Sequence, residues 1–451
     1  MPGKPYLLKN ATIVNEGRSF HGDLLLQNGI IEKIFEEEQQ EAYPEDRAQV
    51  IDLNGMTVIP GVIDDQVHFR EPGLTHKADI RSESRAAVAG GITTFMEMPN
   101  TKPATVTQAL LEEKFRLAQD HSLANYSFYI GATNDNHDEL LATDPGHCCG
   151  IKVFMGSSTG NMLVDNPDTL AAIFRDVRLP VAVHAEDEQI IRSNINAAKA
   201  TWGETIPIHM HPVIRSHEAC ERSTRQAISM AEKYDTRLHL LHLSTLDEMR
   251  MLDNETPLAE KRITAEACVH HLWFSIDDYA RKGSYIKWNP AVKYKTDQQA
   301  LISAVKDGRI DVLATDHAPH TAEEKNKPYT ECPSGGPMVQ HALPAMITLA
   351  KKQHIALEQL VSLMCHQPAI CFNINNRGFI REGYAADLVV IDTAQKTIVN
   401  KESILYKCGW SPLENTSLDA SVTHTFINGN LVYEKGSFYE TIHGEAISFS
   451  R

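Results

Sequence analysis

The chain has no Cys-x-x-Cys pair, no apolar run long enough to cross a bilayer, no surplus of basic residues and no repeat of fixed period. Each absence removes a class of function. Eight cysteines, at 148, 149, 220, 268, 332, 365, 371 and 408, sit in a long chain without a signal-peptide pattern, which fits free thiols in a reducing cytosol. A membrane-spanning helix needs roughly 18 consecutive apolar residues, and the opening M-P-G-K-P-Y has no targeting character. A soluble, cytoplasmic protein is expected. With 43 Lys and Arg against 59 Asp and Glu, the formal net charge is -16 and the pI is near 5.7. Binding a phosphate backbone draws on clustered basic charge that releases counterions, so no nucleic-acid partner is expected. Any anionic ligand must meet a local Arg or Lys. The one biased stretch is the short acidic run Glu36 to Glu41, read as a solvated loop.

What the chain does have is length and two kinds of β pattern. At 451 residues it suits a barrel with insertions plus a small appendage. Residues 1–55 alternate apolar and polar side chains in Leu7 to Val14, Asp23 to Leu26 and Ile30 to Ile34, as half-exposed strands do. After Gly55 the runs become continuously apolar and alternate with helical stretches such as Val106 to Ala118 and Cys220 to Tyr234, the pattern of buried parallel strands in βα units. Eight such runs are present: Val58 to His68, Ile92 to Met98, Tyr126 to Gly131, Gly150 to Met155, Val181 to His184, Leu238 to His242, Ile263 to Ala267 and Asp311 to Thr315. They predict an α/β fold, a (β/α)8 TIM barrel over residues 56–380. Alternation returns in Ala386 to Asp392 and Thr423 to Tyr433, so residues 1–55 and 381–451 are expected to join in one small β-sandwich domain.

Chemistry-bearing residues fall at the ends of the predicted strands. His68 ends the first, Lys152 lies on the fourth, His184 ends the fifth, His242 ends the sixth and Asp316 follows the eighth. In a barrel those ends form one mouth, and metal-assisted hydrolysis needs about three protein ligands with an open position for water. An isolated histidine is more often a packed, hydrogen-bonded one; five suitable groups at one mouth point to a metal site. Lys152 cannot coordinate as an ammonium, but a lysine kept neutral by burial can react with carbon dioxide to give a carbamate that bridges two cations. His270 and His271 are read as packing residues or supports of the ligands, and His209 and His211, which follow no apolar strand, as loop residues.

Three strings, P-G-V-I-D-D-Q-V-H-F-R-E-P-G (Pro60 to Gly73), M-E-M-P-N-T (Met96 to Thr101) and L-A-T-D-H-A-P-H (Leu313 to His320), resemble the dihydroorotases of the cyclic amidohydrolase superfamily. The likeness runs through Ala386-Asp387-Leu388 and so covers nearly the whole chain. It implies zinc, two ions on His68, Lys152, His184, His242 and Asp316, with Lys152 carboxylated as the bridge. It implies Arg70 as the cation for a substrate carboxylate, which a planar guanidinium matches with two donors. Asn100 would be its hydrogen-bonding neighbour, Asn289 a donor to the ring and His320 the mobile-loop histidine that closes on the substrate. Gly335, Gly336 and Pro337 would pass backbone over the ring. Water activated by zinc would attack the ring amide, and Asp316 would carry the proton to the leaving nitrogen. In reverse this closes N-carbamoyl-aspartate into dihydroorotate, the ring-forming step of pyrimidine synthesis. Proteins of this kind are often homodimers.

The sequence departs from that pattern twice. Gln66 stands where the family writes the first His of H-x-H, and an amide oxygen is a poorer zinc ligand than imidazole; two metals with a weakened one at His68 are expected. Gln340 stands where relatives usually carry Glu, and the sequence supplies no reason for it. A damaged H-x-H keeps two other classes in view: a non-catalytic scaffold for aspartate carbamoyltransferase, and a hydrolase with hydantoinase-like or allantoinase-like specificity. Retention of the other site residues favours the enzyme, and Arg70 with Asn289 favours a carboxylate-bearing substrate.

Overall fold

The computed structural model describes residues 4–37, 43–156, 161–440 and 442–451. Eight parallel strands form one sheet in chain order: Val62–Val67, Ile92–Glu97, Asn125–Gly131, Gly150–Phe154, Val181–His184, Leu238–Leu240, Ile263–Cys268 and Val312–Ala314. The last returns to the first through a parallel bridge between Val67 and His317 and a hydrogen bond from His68 N to the His317 carbonyl at 2.7 Å. Asp64 fastens the same seam, accepting from the Thr315 hydroxyl at 2.6 Å and from Thr315 N at 3.2 Å. Helices alternate with the strands. Ile80–Ala89 follows the first, capped by Asp79, and His217–Tyr234 precedes the sixth, capped by Ser216. Every residue of most barrel strands is buried on both faces, as the continuous apolar runs require.

The two ends of the chain meet in one nine-stranded sheet. Tyr6–Asn15 is central to it, pairing antiparallel with Arg18–Gln27 and parallel with Thr57–Pro60, which pairs in turn with Leu388–Asp392. The sheet curls: Tyr6 and Phe426, separated by two intervening strands, bring their rings within 5.6 Å. Leu388 and Val390 pack inside the curl with Leu8, Ile13 and Leu24, whereas Val389 and Ile391 point the other way into the barrel's core. Period-two alternation with both faces buried explains why L-V-V-I reads as unbroken.

The predicted strand Val58 to His68 is two strands in two sheets. Thr57–Pro60 belongs to the end sheet and Val62–Val67 to the barrel. Gly61 is the joint, because a Cβ there would lie 1.9 Å from Thr93 Oγ1. No sequence periodicity marks that break. Of the acidic run Glu36 to Glu41, residues beyond 37 lie outside the described ones. All eight cysteines are unpaired, and among the described residues no helix is long and apolar enough to cross a membrane.

Candidate active site

The C-terminal ends of the barrel strands enclose a cavity of ≈240 Å³ lined by Gln66, His68, Arg70, Asn100, Lys152, His184, His242, Asn289, Asp316 and His320. Every candidate site side chain named from the sequence therefore faces one space, although the residues are scattered along the chain from Gln66 to His320. Phe154, Trp288 and Gly335 complete the walls. Three of the lining residues, Arg70 (φ 72°), His242 (φ 39°) and Asp316 (φ 44°), have left-handed backbone although none is glycine. Such conformations cost of order 1–3 kcal/mol and persist where surrounding structure holds them. Here the chain turns sharply just past a strand end and swings a functional side chain inward.

His68 is fixed from both sides. Its Nδ1 donates to Asn100 Oδ1 at 2.7 Å, which leaves Nε2 facing Asp316 Oδ1 at 3.1 Å. Asn100 thus orients a candidate ligand as well as lining the cavity. Gln66 lies beside them. With its amide nitrogen turned to Glu266, at 2.6 and 3.2 Å from the two carboxylate oxygens, its oxygen faces Asp316. Two oxygens then meet with no hydrogen between them, an arrangement that a cation relieves.

Across the cavity, His184 Nε2 is held at 2.7 Å by Glu186, which also pairs with Arg215. Burial by itself would raise the Glu186 carboxyl, but Arg215 and His184 bring it down to about 2. A carboxylate on one ring nitrogen sets the tautomer and leaves the other nitrogen as a donor pair. That other nitrogen, His184 Nδ1, faces His242 Nε2 at 2.9 Å. Burial lowers the pKa of His68, His184 and His242, so all three rings are held neutral as coordination requires. Between the two groups stands Lys152, 1% exposed, whose ammonium has no hydrogen bond or ion pair among the described residues. Burial pushes it down to about 7, within reach of a neutral amine. The donor set of imidazoles, an aspartate and a neutral lysine fits a divalent metal centre.

Arg70 is buried, and no described carboxylate pairs with it. Nε donates to the Pro319 carbonyl at 3.0 Å, one terminal nitrogen sits 3.1 Å from His320 Nε2, and burial lowers the pKa only to about 10, so the group stays charged. Glu71 does not pair with it; that carboxylate accepts from Ile80 N. Asn289 Oδ1 is buried with no hydrogen-bond partner among the described residues. Gly336 admits no side chain, because a Cβ would lie 2.6 Å from the Trp288 ring.

Some neighbours were not legible in the sequence. Glu186, Arg215 and Glu266 support the site, and only the H-x-E spacing of His184 and Glu186 hinted at a role. Glu97 accepts from Phe69 N at 2.9 Å and pairs with Lys114 at 2.8 Å, both fully buried, fixing the turn that carries His68 and Arg70. His270 stacks on Trp288 with ring centroids 4.3 Å apart, His271 reaches the Pro290 carbonyl, and neither lines the cavity. The reading of His209 and His211 as loop residues is corrected. They lie in short helical turns, Ile208–Met210 and His211–Ile214, and His211 is buried between the Tyr329 hydroxyl (2.8 Å) and the Trp288 carbonyl (2.6 Å). Gln340 gains an explanation: its amide donates to the Ser403 carbonyl at 2.7 Å and accepts from Leu405 N at 2.8 Å.

The chain belongs to the amidohydrolase family, which it matches over residues 57–432. A dihydroorotase of Methanosarcina acetivorans is 30% identical over 442 residues, covering 95% of this chain and 92% of the relative. A dihydroorotase of Bacillus cytotoxicus is 33% identical over 437 residues, covering 96% and 99%. Among solved structures, L-hydantoinase from Arthrobacter aurescens superposes with a TM-score of 0.92 at 26% identity, covering 99% of this chain and 100% of its own. Dihydropyrimidinase from Brevibacillus agri, at 22% identity and a TM-score of 0.87, shares the fold.

Proposed function

We propose that this cyclic amidohydrolase is a zinc-dependent dihydroorotase that interconverts N-carbamoyl-L-aspartate and (S)-dihydroorotate in pyrimidine biosynthesis. The observation that carries the reading is Arg70, a buried guanidinium at the cavity wall without a carboxylate partner of its own. A hydantoin has no carboxylate to place there. Dihydroorotate does, and bidentate pairing would fix its orientation.

The residues that would hold zinc are His68, Asp316, Lys152, His184 and His242, with Gln66 contributing an amide oxygen at the His68 side. When bound, the metal supplies Lewis-acid polarisation and an activated water. Lys152 joins the set after its neutral Nζ adds to carbon dioxide, releasing one proton and leaving a carbamate. Arg70 takes the substrate carboxylate, with the Asn100 amide nitrogen beside it. The Asn289 oxygen, which lacks a donor, accepts from a ring N–H. Asp316 accepts the proton of the attacking water and delivers it to the departing ring nitrogen, and in ring closure the traffic reverses. His320, held neutral by burial, packs over Arg70 and limits water there.

Ring opening of dihydroorotate, followed by absorbance on zinc-reconstituted and metal-stripped protein, tests the reading, with hydantoin and allantoin as alternative substrates. Zinc-dependent turnover of dihydroorotate is expected, and Arg70→Ala should lower kcat/KM for it by at least 100-fold, the scale of a lost charge-assisted pair of about 3 kcal/mol. Preference for hydantoin, with indifference to Arg70→Ala, would move the assignment to a hydantoinase. Absence of turnover by metal-loaded protein that binds an aspartate carbamoyltransferase would favour the scaffold.

A further inference from the structure

Below the mouth, the barrel interior carries a polar cluster that the proposed reaction does not use. Asp65 on the first strand, His239 on the sixth and Glu266 on the seventh are each at most 2% exposed, and their ligand atoms lie within 4.8 Å of one another. His239 Nε2 is 2.9 Å from Asp65 Oδ2 and 3.8 Å from Glu266 Oε2. The Thr264 hydroxyl donates its hydrogen to the Leu238 carbonyl at 3.3 Å, so it can only accept from His239 Nδ1 at 2.8 Å. Nδ1 therefore carries the ring hydrogen. Nε2 points among carboxylate oxygens, and apart from its 2.9 Å approach to Asp65 Oδ2 neither it nor either oxygen of Asp65 has a hydrogen bond among the described residues. Glu266 Oε1 is satisfied by His242 N at 2.9 Å, Cys268 Sγ at 3.0 Å and the Gln66 amide at 2.6 Å, while Oε2, 3.2 Å from that amide, also faces the cluster. No Lys or Arg among the described residues pairs with Asp65 or Glu266. Two buried carboxyl groups thus converge on one imidazole nitrogen, with no Lys or Arg among the described residues beside them.

We propose that the barrel interior binds a divalent cation on Asp65 Oδ2, His239 Nε2 and Glu266 Oε2, one layer beneath the mouth and sharing no ligand with it. One divalent ion would neutralise both carboxylates, taking the place of the proton that otherwise sits on His239 Nε2 against Asp65. Two oxygens and one imidazole nitrogen suit zinc or manganese, and Thr264 supplies the hydrogen bond that such a histidine usually makes through its second nitrogen. Access comes from the opposite end of the barrel, where His239 and Thr264 also line a cavity of ≈800 Å³. Because Glu266 also grips the Gln66 amide, an ion here would stiffen the wall of the mouth. The inference rests on no assumption about the reaction.

Crystals of the full chain soaked in zinc chloride, with anomalous differences measured at the zinc edge, decide it. A peak roughly 2.0–2.2 Å from all three atoms is expected. A map without that peak, whether or not the mouth is filled, overturns the proposal and leaves an imidazolium between two carboxylates. In solution, Asp65→Asn and His239→Gln should each bind one equivalent of zinc fewer than the unaltered protein by mass spectrometry of the metal content. Unchanged stoichiometry in folded variants overturns it as well, and should neither variant fold, the map on the unaltered chain still decides.

Discussion

Under the proposed metal site, Gln66 is the residue on which the metal content of the mouth would turn. Its amide is anchored by Glu266 and its oxygen meets Asp316, so it sits where a family histidine would, with a weaker donor for zinc. Gln66→His should tighten metal binding at the His68 side by about 10- to 100-fold, read by competition with a chelator. An unchanged affinity would mean that the position does not touch the metal. Gln340 is a structural counterpart. Its amide both donates and accepts between Ser403 and Leu405, and a carboxylate can only accept. Gln340→Glu should therefore set two acceptors against each other and lower stability by about 1–3 kcal/mol, measured by urea unfolding at neutral pH. A carboxylate that left stability unchanged would show that the contact with Ser403 contributes little.

At the scale of elements, the end sheet and the barrel are locked by one side chain. Asp387 accepts from Asn428 N at 2.8 Å and Asn125 Nδ2 at 3.1 Å, and pairs with Arg377. Its carbonyl takes Gly61 N at 2.8 Å, at the joint where the chain passes from one sheet to the other. Four segments distant in sequence converge there. Asp387→Ala should cost about 3 kcal/mol, because Arg377, largely buried, would lose its buried carboxylate and keep only Asn428 Oδ1 at 2.8 Å and the exposed Glu445 at 3.9 Å. Hydrogen exchange should show the loss first in Leu388–Asp392 and the start of Asn125–Gly131, and a loss spread evenly over the molecule would argue against a local lock.

For the whole molecule, the abundance of buried neutral histidine has a consequence in acid. Burial holds His211 and His270 well below their ordinary range, His271 at about 4 and His341 at about 3. Each folded pKa lies below the unfolded value, so the unfolded chain takes up protons first as the pH drops through about 6.5. Stability is then lost at roughly 1.4 kcal/mol per pH unit per histidine until the folded group titrates. The Tm of metal-free protein should fall steeply between pH 6.5 and 4, and a flat profile would contradict the burial of these rings. The sequence by itself determined the barrel, the return of the chain end to the first strands, and five residues at the mouth, His68, Lys152, His184, His242 and Asp316, because strand periodicity and position at a strand end are local properties that a linear string carries. Gln66, Arg70, Asn100, Asn289 and His320 were singled out only by the resemblance of their strings to a family. Only the tertiary structure decided that Val58 to His68 is divided at Gly61, that Gln340 serves as a clamp, that Glu186 and Glu266 stand behind His184 and Gln66, and that Asp65 meets His239. Those facts depend on which distant side chain occupies the neighbouring space, and no period in the chain records it.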